Sequence, residues 1–404
     1  MTETKYWIWL EMVFGIASPR IWEAMESCES PVEAYEKLCS GRHNMILKSK
    51  ESENIKRIPL EKSVDIIDIC CSKKIEIVDF SSDKYPEKLK NIYNPPVVLF
   101  YKGNIEVLNT GISLAMVGAR KASPQSIMIA KRLSRELTEK GFIISSGFAV
   151  GIDINSHLSA VDAGGITVCV MGCGLDVNYP KENFIYREKI LRNNGVFISE
   201  FFPGTPSYAS NFYKRNRILS GISNGTIIIQ AGYKSGSLVT GELSLEQGRE
   251  VFCVPPADIY DKSYAGNIKF LRDGAIAVYG CEDIIDYYKE LSEDFDSFHL
   301  KNVIEKRSGI ISEKKETASD KNKIIKTISD ENDTMKTVIA NYDDFSDLQK
   351  KIISILENGR VHVDVISEKL GYNNTSISDL MIELMDMELE GIIKSFAGKV
   401  YGLY

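Results

Sequence analysis

Several things are scarce in this sequence, and each absence removes a class of function. No run of roughly eighteen apolar residues occurs, so nothing reads as a membrane-spanning helix. The start, MTETKYWIWL, has no basic stretch ahead of an apolar core, which is the pattern of a secretory signal. A cytoplasmic protein with no membrane partner is therefore expected. Eight cysteines are spread along 404 residues without a CxxC pair. The closest approach to metal spacing, Cys169 and Cys173, starts inside the apolar run Thr167–Met171, where a thiol serves as a small hydrophobe, so no metal is expected. An excess of positive charge is also lacking. The formal net charge is −7, which argues against a protein that coats nucleic acid indiscriminately.

What is present is unevenly distributed. Residues 111–280 hold 18 Lys and Arg against 14 Asp and Glu, while the rest of the chain holds 31 against 42, so a polyanion should meet the middle. That middle alternates apolar, β-branched runs with helix-like stretches: Ile112–Val117, Phe142–Ile144, Thr167–Met171, Val196–Ile198, Thr226–Ile229, Val251–Val254 and Ile276–Val278. Near-continuous apolar strands separated by helices imply an α/β fold with a doubly wound parallel sheet. The stretch Pro124–Lys140 has Pro where its missing N–H costs nothing, and Gly141 follows its end.

Residues 1–80 show helical spacing at Trp7–Val13, Ile21–Met25 and Val32–Leu38, a small helical domain with the tryptophans in its core. The core domain is placed at 81–289. Residues 290–344 are rich in Lys, Glu, Asp, Ser and Thr and read as a flexible linker. Residues 345–404 follow the order helix, short strand, helix, helix and two short strands, that of a winged-helix domain. Its third helix, Ser376–Glu390, carries Asp379, Glu383, Asp386, Glu388 and Glu390 with no Lys or Arg, which disfavours reading a DNA groove.

Glycines mark the strand ends where ligands of such folds bind. Gly118 precedes Arg120 and Lys121. Gly147 and Gly151 flank Phe148, and Lys234 precedes Ser235, Gly236 and Ser237. Lys181 follows a fourth turn, Met171–Pro180. Strand-to-helix turns of this kind expose backbone N–H groups to anions, and four along one sheet edge suit several phosphates better than one. Phe212 and Tyr213 lie beside Lys214, Arg215 and Arg217, combining cations for phosphates with rings for base stacking. Asp153 and His157 could share a helix face, but they read as a helix-start carboxylate and a structural histidine. No activated nucleophile is evident, and the dinucleotide fingerprint fails at the first strand.

Taken together, Val117-Gly-Ala-Arg120, Ser146-Gly-Phe-Ala-Val-Gly-Ile-Asp153, Gly172-x-Gly-x-Asp176-x-x-Tyr179-Pro180, Arg215-Asn-Arg-Ile218, Ser235-Gly-Ser-Leu-x-Thr240 and Gly248-Arg-x-Val-Phe252 resemble the DNA-processing protein A (DprA/Smf) family. The resemblance implies an N-terminal SAM-like domain, an extended Rossmann-like core and a C-terminal winged helix. It implies a non-enzymatic protein without cofactor that binds single-stranded DNA, forms a homodimer through the core and helps load RecA recombinase in natural transformation. Carried over by position, Arg120, Lys181, Lys214, Arg215 and Arg217 are DNA-contact candidates. The phosphates are expected on the Gly118, Gly147–Gly151 and Ser235–Ser237 loops, with Phe148 or Phe212 supporting bases. Val150 stands where the family usually has Lys or Arg, and Gln230, Gly241 and Pro256 also depart from the pattern. The competing reading is a LOG-like nucleotide phosphoribohydrolase or a nucleotide sensor; the Pro-Gly-Gly-x-Gly-Thr loop of the former is missing.

Overall fold

A computed structural model describes residues 3–291, 347–356, 359–370, 380, 384, 387, 393–396 and 400–403. The chain divides into two compact units, 1–314 and 315–404. The first is built on a nine-stranded sheet: β1 (Glu76–Asp79), β2 (Val98–Lys102), β3 (Ser113–Gly118), β4 (Ile143–Ser146), β5 (Thr167–Val170), β6 (Val196–Ser199), β7 (Gly225–Gln230), β8 (Glu250–Cys253) and β9 (Ile276–Ala277). Their order is β1-β2-β6-β5-β4-β3-β7-β8-β9. From β6 to β9 all neighbours are parallel, whereas β1, β2 and β6 pair antiparallel. The parallel strands are the apolar runs expected from the sequence. Helices cover both faces, so β7 (GTIIIQ) is buried along its whole length.

The chain winds outward from β3 to β6, then returns to the other side of β3 for β7 to β9. The gap between the carboxyl ends of β3 and β7 is therefore a topological switch point, where open α/β sheets form their ligand crevice. Local chemistry shapes the loops there. Helix α7 (Pro124–Glu139) begins at Ser123, whose Oγ accepts the Ser126 N–H at 3.1 Å, with Pro124 at the first position. Gly141 closes it at φ 92°. The β3–β7 register skips one residue between Val117 and Gly118, a bulge that re-aims the loop after β3.

Five helices precede the sheet: Thr4–Phe14 (α1), Arg20–Met25, Pro31–Ser40, Ser49–Arg57 and Glu61–Ser72. Trp7 and Trp9 are buried, and the Trp7 and Trp22 rings lie 5.9 Å apart, so the tryptophans do form a core. That core is continuous with one sheet face, because Trp9, Phe100, Phe148, Cys169 and Phe197 belong to one apolar cluster. The last described helix of the first unit spans Cys281–Leu291, and the remainder of the expected linker, 292–344, lies outside the described residues.

The second unit contains helices Asp347–Leu356 and Val363–Leu370 and a three-stranded sheet of Val361–His362, Ile393–Phe396 and Val400–Leu403. Most of the expected third helix, with its acidic residues, lies outside the described residues. Leu380, Leu384 and Met387, at spacings of four and three, are buried with Ile352, Ile366 and Ile393.

Candidate nucleic-acid interface

Gln230, the last residue of β7, ties the switch-point loops together. Its carbonyl accepts the Ala119 N–H and its side-chain oxygen the Ser123 N–H, both at 2.8 Å, while its amide donates to Ser263 Oγ at 2.7 Å. Beside this knot opens a cleft of about 550 Å³, bounded by the Gly118–Arg120 loop, by helix Ala209–Gly221 (α10) and by Ser235, Gly236 and Ser237 at the start of helix Gly236–Glu246 (α11). Ser235 caps α11, its Oγ accepting the Ser237 N–H at 3.3 Å. This leaves the positive helix end facing the cleft.

One wall of the cleft is an aromatic platform with cations around it. α10 places Phe212, Arg215, Asn216 and Leu219 on one face, at helical spacings of three, four and seven. The Arg120 guanidinium lies 5.4 Å and that of Arg215 5.9 Å from the Phe212 ring centre, and the Tyr179 ring is 5.4 Å away. Gly172 makes room for the ring, since a Cβ there would come within 2.8 Å of it. Arg120 is exposed, whereas Arg215 is buried. Arg215 spends Nη1 on the carbonyls of Gly147 and Val170 and Nε on Asn216 Oδ1, so its remaining nitrogen is the one able to reach a ligand. Burial lowers its pKa, but a guanidinium stays charged at any ordinary pH.

The loop 147–151 corrects the expectation placed on it. The N–H groups of Gly147 and Ala149, which would have cradled a phosphate, donate to Asp153 Oδ2 at 3.1 and 3.3 Å. The protein's own carboxylate fills the nest. Phe148 is fully buried against Phe197, ring centres 5.0 Å apart, and cannot stack on a base in this arrangement. Gly147 and Gly151 are packing glycines: a Cβ on Gly147 would meet the Arg215 guanidinium at 2.5 Å, and one on Gly151 (φ 86°) would meet the Ala119 carbonyl at 2.4 Å. Gly118 is similarly pressed, with Ile152 within 2.5 Å of a notional Cβ. The loop therefore supports the cleft from behind.

The other candidates separate into rim and interior. Lys121, Lys181 and Lys234 are exposed and lie outside the cleft lining. Lys214 is exposed but donates to the Ile16 carbonyl at 3.1 Å. Arg217, expected to contact DNA, is buried and paired with Glu200, because it lies on a different face of α10 from Phe212 and Arg215. His157 is buried with Nδ1 2.6 Å from Thr167 Oγ1, and burial drives its pKa to about 3, so it is a neutral core group. Asp153 and His157 show no mutual hydrogen bond, as suits the structural role read for them. Among the described residues no group of three His, Cys, Asp or Glu could hold a metal ion. Sequence reasoning did not select Asn216 or Thr240, which also line the cleft. Asn216 was detectable in principle, four positions after Phe212 on the same helical face.

A doubly wound sheet whose switch point opens into an arginine-lined, aromatic-walled cleft defines a Rossmann-like α/β protein. Comparison narrows the class. The family model described as DNA recombination-mediator protein A matches residues 76–289, and the chain belongs to this family. It is 40% identical over 219 residues to DNA processing protein DprA of Bacillus subtilis, covering 54% of this chain and 72% of that protein. It is 38% identical over 229 residues to DNA processing protein DprA of Streptococcus pneumoniae, covering 56% and 80% respectively. The X-ray structure of the pneumococcal protein superposes with a TM-score of 0.62 at 31% identity, over 70% of this chain and 97% of that one. The resemblance seen in the motifs is thus a family relationship, and the fold class expected from the sequence is the one found.

Proposed function

We propose that the chain binds single-stranded DNA in the switch-point cleft and acts as a recombination mediator, delivering the strand to RecA recombinase in natural transformation. The observation that carries this reading is the stacking of Arg120 on Phe212 with Arg215 alongside, facing the N-terminus of α11. Cations and a positive helix end suit a phosphate backbone, and an aromatic face suits an unpaired base. A duplex keeps its bases stacked on one another and has none to offer the ring. The contact set is then Gly118, Arg120, Phe212, Arg215, Ser235, Gly236 and Ser237, with Lys121, Lys181, Lys214 and Lys234 as rim cations for flanking phosphates. No bond is made or broken in this reading.

A homodimer through the core and residence in the cytoplasm complete the proposal. Eight free cysteines, five of them buried, suit a reducing compartment, and among the described residues no helix is long and apolar enough to cross a membrane. The test is RecA filament formation on oligonucleotides already covered by a single-strand-binding protein. Acceleration by the wild type and loss in an Arg120→Ala, Phe212→Ala double variant are expected. Equal rates with and without the protein would refute the mediator role.

A further inference from the structure

The cleft that holds Arg120 and Arg215 also contains a carboxylate, which phosphates alone do not call for. Asp153, in the first turn of the helix Ile152–Asp162, lines the cleft and is 7% exposed. Its Oδ2 accepts the N–H groups of Gly147 and Ala149, while among the described residues no hydrogen bond is made to its Oδ1. The neighbouring Ser146 hydroxyl gives its one proton to the Met116 carbonyl at 2.6 Å, so it does not supply one. Nor is Oδ1 among the polar atoms sealed in the interior without a partner, so it opens onto the cleft. Arg215 stands opposite, across a single glycine. A Cβ on Gly147 would lie 2.5 Å from Arg215 Nη2 and 2.7 Å from Asp153 Oδ2, yet among the described residues no ion pair joins the two side chains. Nη2 is also the nitrogen that Arg215 keeps free. The back wall of the cleft thus offers an acceptor and a donor side by side, with only a glycine between them.

We propose that Asp153 and Arg215 read the edge of one base, and that the base they favour is guanine. The inference rests on the reading of the cleft as the single-strand site and adds to it a preference at one nucleotide. A phosphate placed between the two groups would be repelled by the carboxylate, whereas the edge of an unstacked base carries donors and acceptors together. A carboxylate oxygen accepts N–H groups, and guanine alone presents two at adjacent positions, N1–H and the 2-amino group, with the O6 acceptor next to them. On this edge O6 meets Arg215 Nη2, while N1–H and the amino group face Asp153 Oδ1. Thymine has a single N–H between two carbonyls, so one carbonyl would be turned toward the carboxylate. Adenine and cytosine each bring one amino group beside a ring-nitrogen acceptor, one contact with Asp153 instead of two. The Arg215 guanidinium lies 5.9 Å from the Phe212 ring centre, so a base whose edge meets this pair lies beside the aromatic wall.

The experiment uses the full-length protein and labelled dT oligonucleotides that differ at one central position: dT, dA, dC, dG or deoxyinosine, which keeps O6 and N1–H but lacks the 2-amino group. Affinities are measured by fluorescence anisotropy for the wild type and Asp153→Asn, with Tm recorded for both. The Asn oxygen can still accept the Gly147 and Ala149 N–H groups, but its amino group then faces the cleft. The wild type should bind the dG strand about tenfold more tightly than the all-dT strand, with deoxyinosine between them, the scale of one two-point base contact. In Asp153→Asn the advantage of dG over dT should vanish. Equal wild-type affinity for the dG, deoxyinosine and all-dT strands would overturn the inference. So would an Asp153→Asn variant with a lowered Tm that weakens every strand alike and keeps the dG advantage, the mark of a merely structural carboxylate. If the wild type binds none of the strands even at low salt, the reading of the cleft falls, and this inference with it.

Discussion

In the proposed function, much of the binding chemistry rests on two single side chains, Arg120 and Phe212. An exposed guanidinium 5.4 Å from a ring can accept a phosphate on one side while the ring takes a base. Replacing Phe212 by Ala should weaken oligo-dT binding by about 1–3 kcal/mol, roughly five- to 150-fold, measured by fluorescence anisotropy. Arg120→Ala should weaken all sequences alike and reduce the salt slope of log K by about 0.7, one phosphate contact on a single strand. Val150 sits half-exposed on the loop behind the cleft. Val150→Lys should raise affinity and steepen that slope by a similar amount. His157 sets a pH limit of a different kind. Its folded pKa of about 3 lies below its unfolded value of 6.5, so the unfolded chain binds the proton first. Stability from this group is complete above pH 6.5 and is lost as pH falls toward 3, by about 1.4 kcal/mol per unit. Titration of Tm in His157→Gln should show a shallower acid limb than in the wild type.

At the scale of elements, the glycine loops depend on close backbone approach. Gly151→Ala would place a side chain at φ 86° and press it onto the Ala119 carbonyl. The expected cost is about 1–3 kcal/mol from backbone strain alone, seen as a lower Tm, together with weaker binding as the Gly118–Arg120 loop is displaced. These elements were also the part of the molecule best written in the sequence. Ser123-Pro124 and Gly141 bracket α7 by chemistry that needs no tertiary context, and the parallel strands are built on apolar runs. Side-chain direction was not readable in this way. The motif 146–153 contains both an anion nest and the Asp153 carboxylate that fills it, and only the fold shows that the two meet. Arg215 and Arg217 are two residues apart in one basic cluster, but a helix turns them to different faces, one to the cleft and one to Glu200. Strand β2 was hidden for another reason: it joins the sheet antiparallel to β6, through pairings with no local signature.

For the whole molecule, the charge distribution explains how an acidic protein can hold DNA. A net charge of −7 keeps the surface as a whole unattractive to polyanions, while the switch-point cleft itself is lined by two arginines, Arg120 and Arg215. The N-terminal helices share one apolar cluster with a face of the same sheet. Binding should therefore be local, salt-sensitive and selective for strands with unpaired bases. The most direct test is anisotropy of labelled oligo-dT and of a duplex of equal length across a salt series, with the wild type and the Arg120→Ala, Phe212→Ala double variant. The account predicts tight, salt-dependent binding of the single strand by the wild type, weaker binding of the duplex, and a loss on the single strand of at least tenfold in the double variant, an order-of-magnitude figure from phosphate and stacking contacts. Equal affinity for the two DNAs, or a double variant that binds oligo-dT as the wild type does, would contradict it.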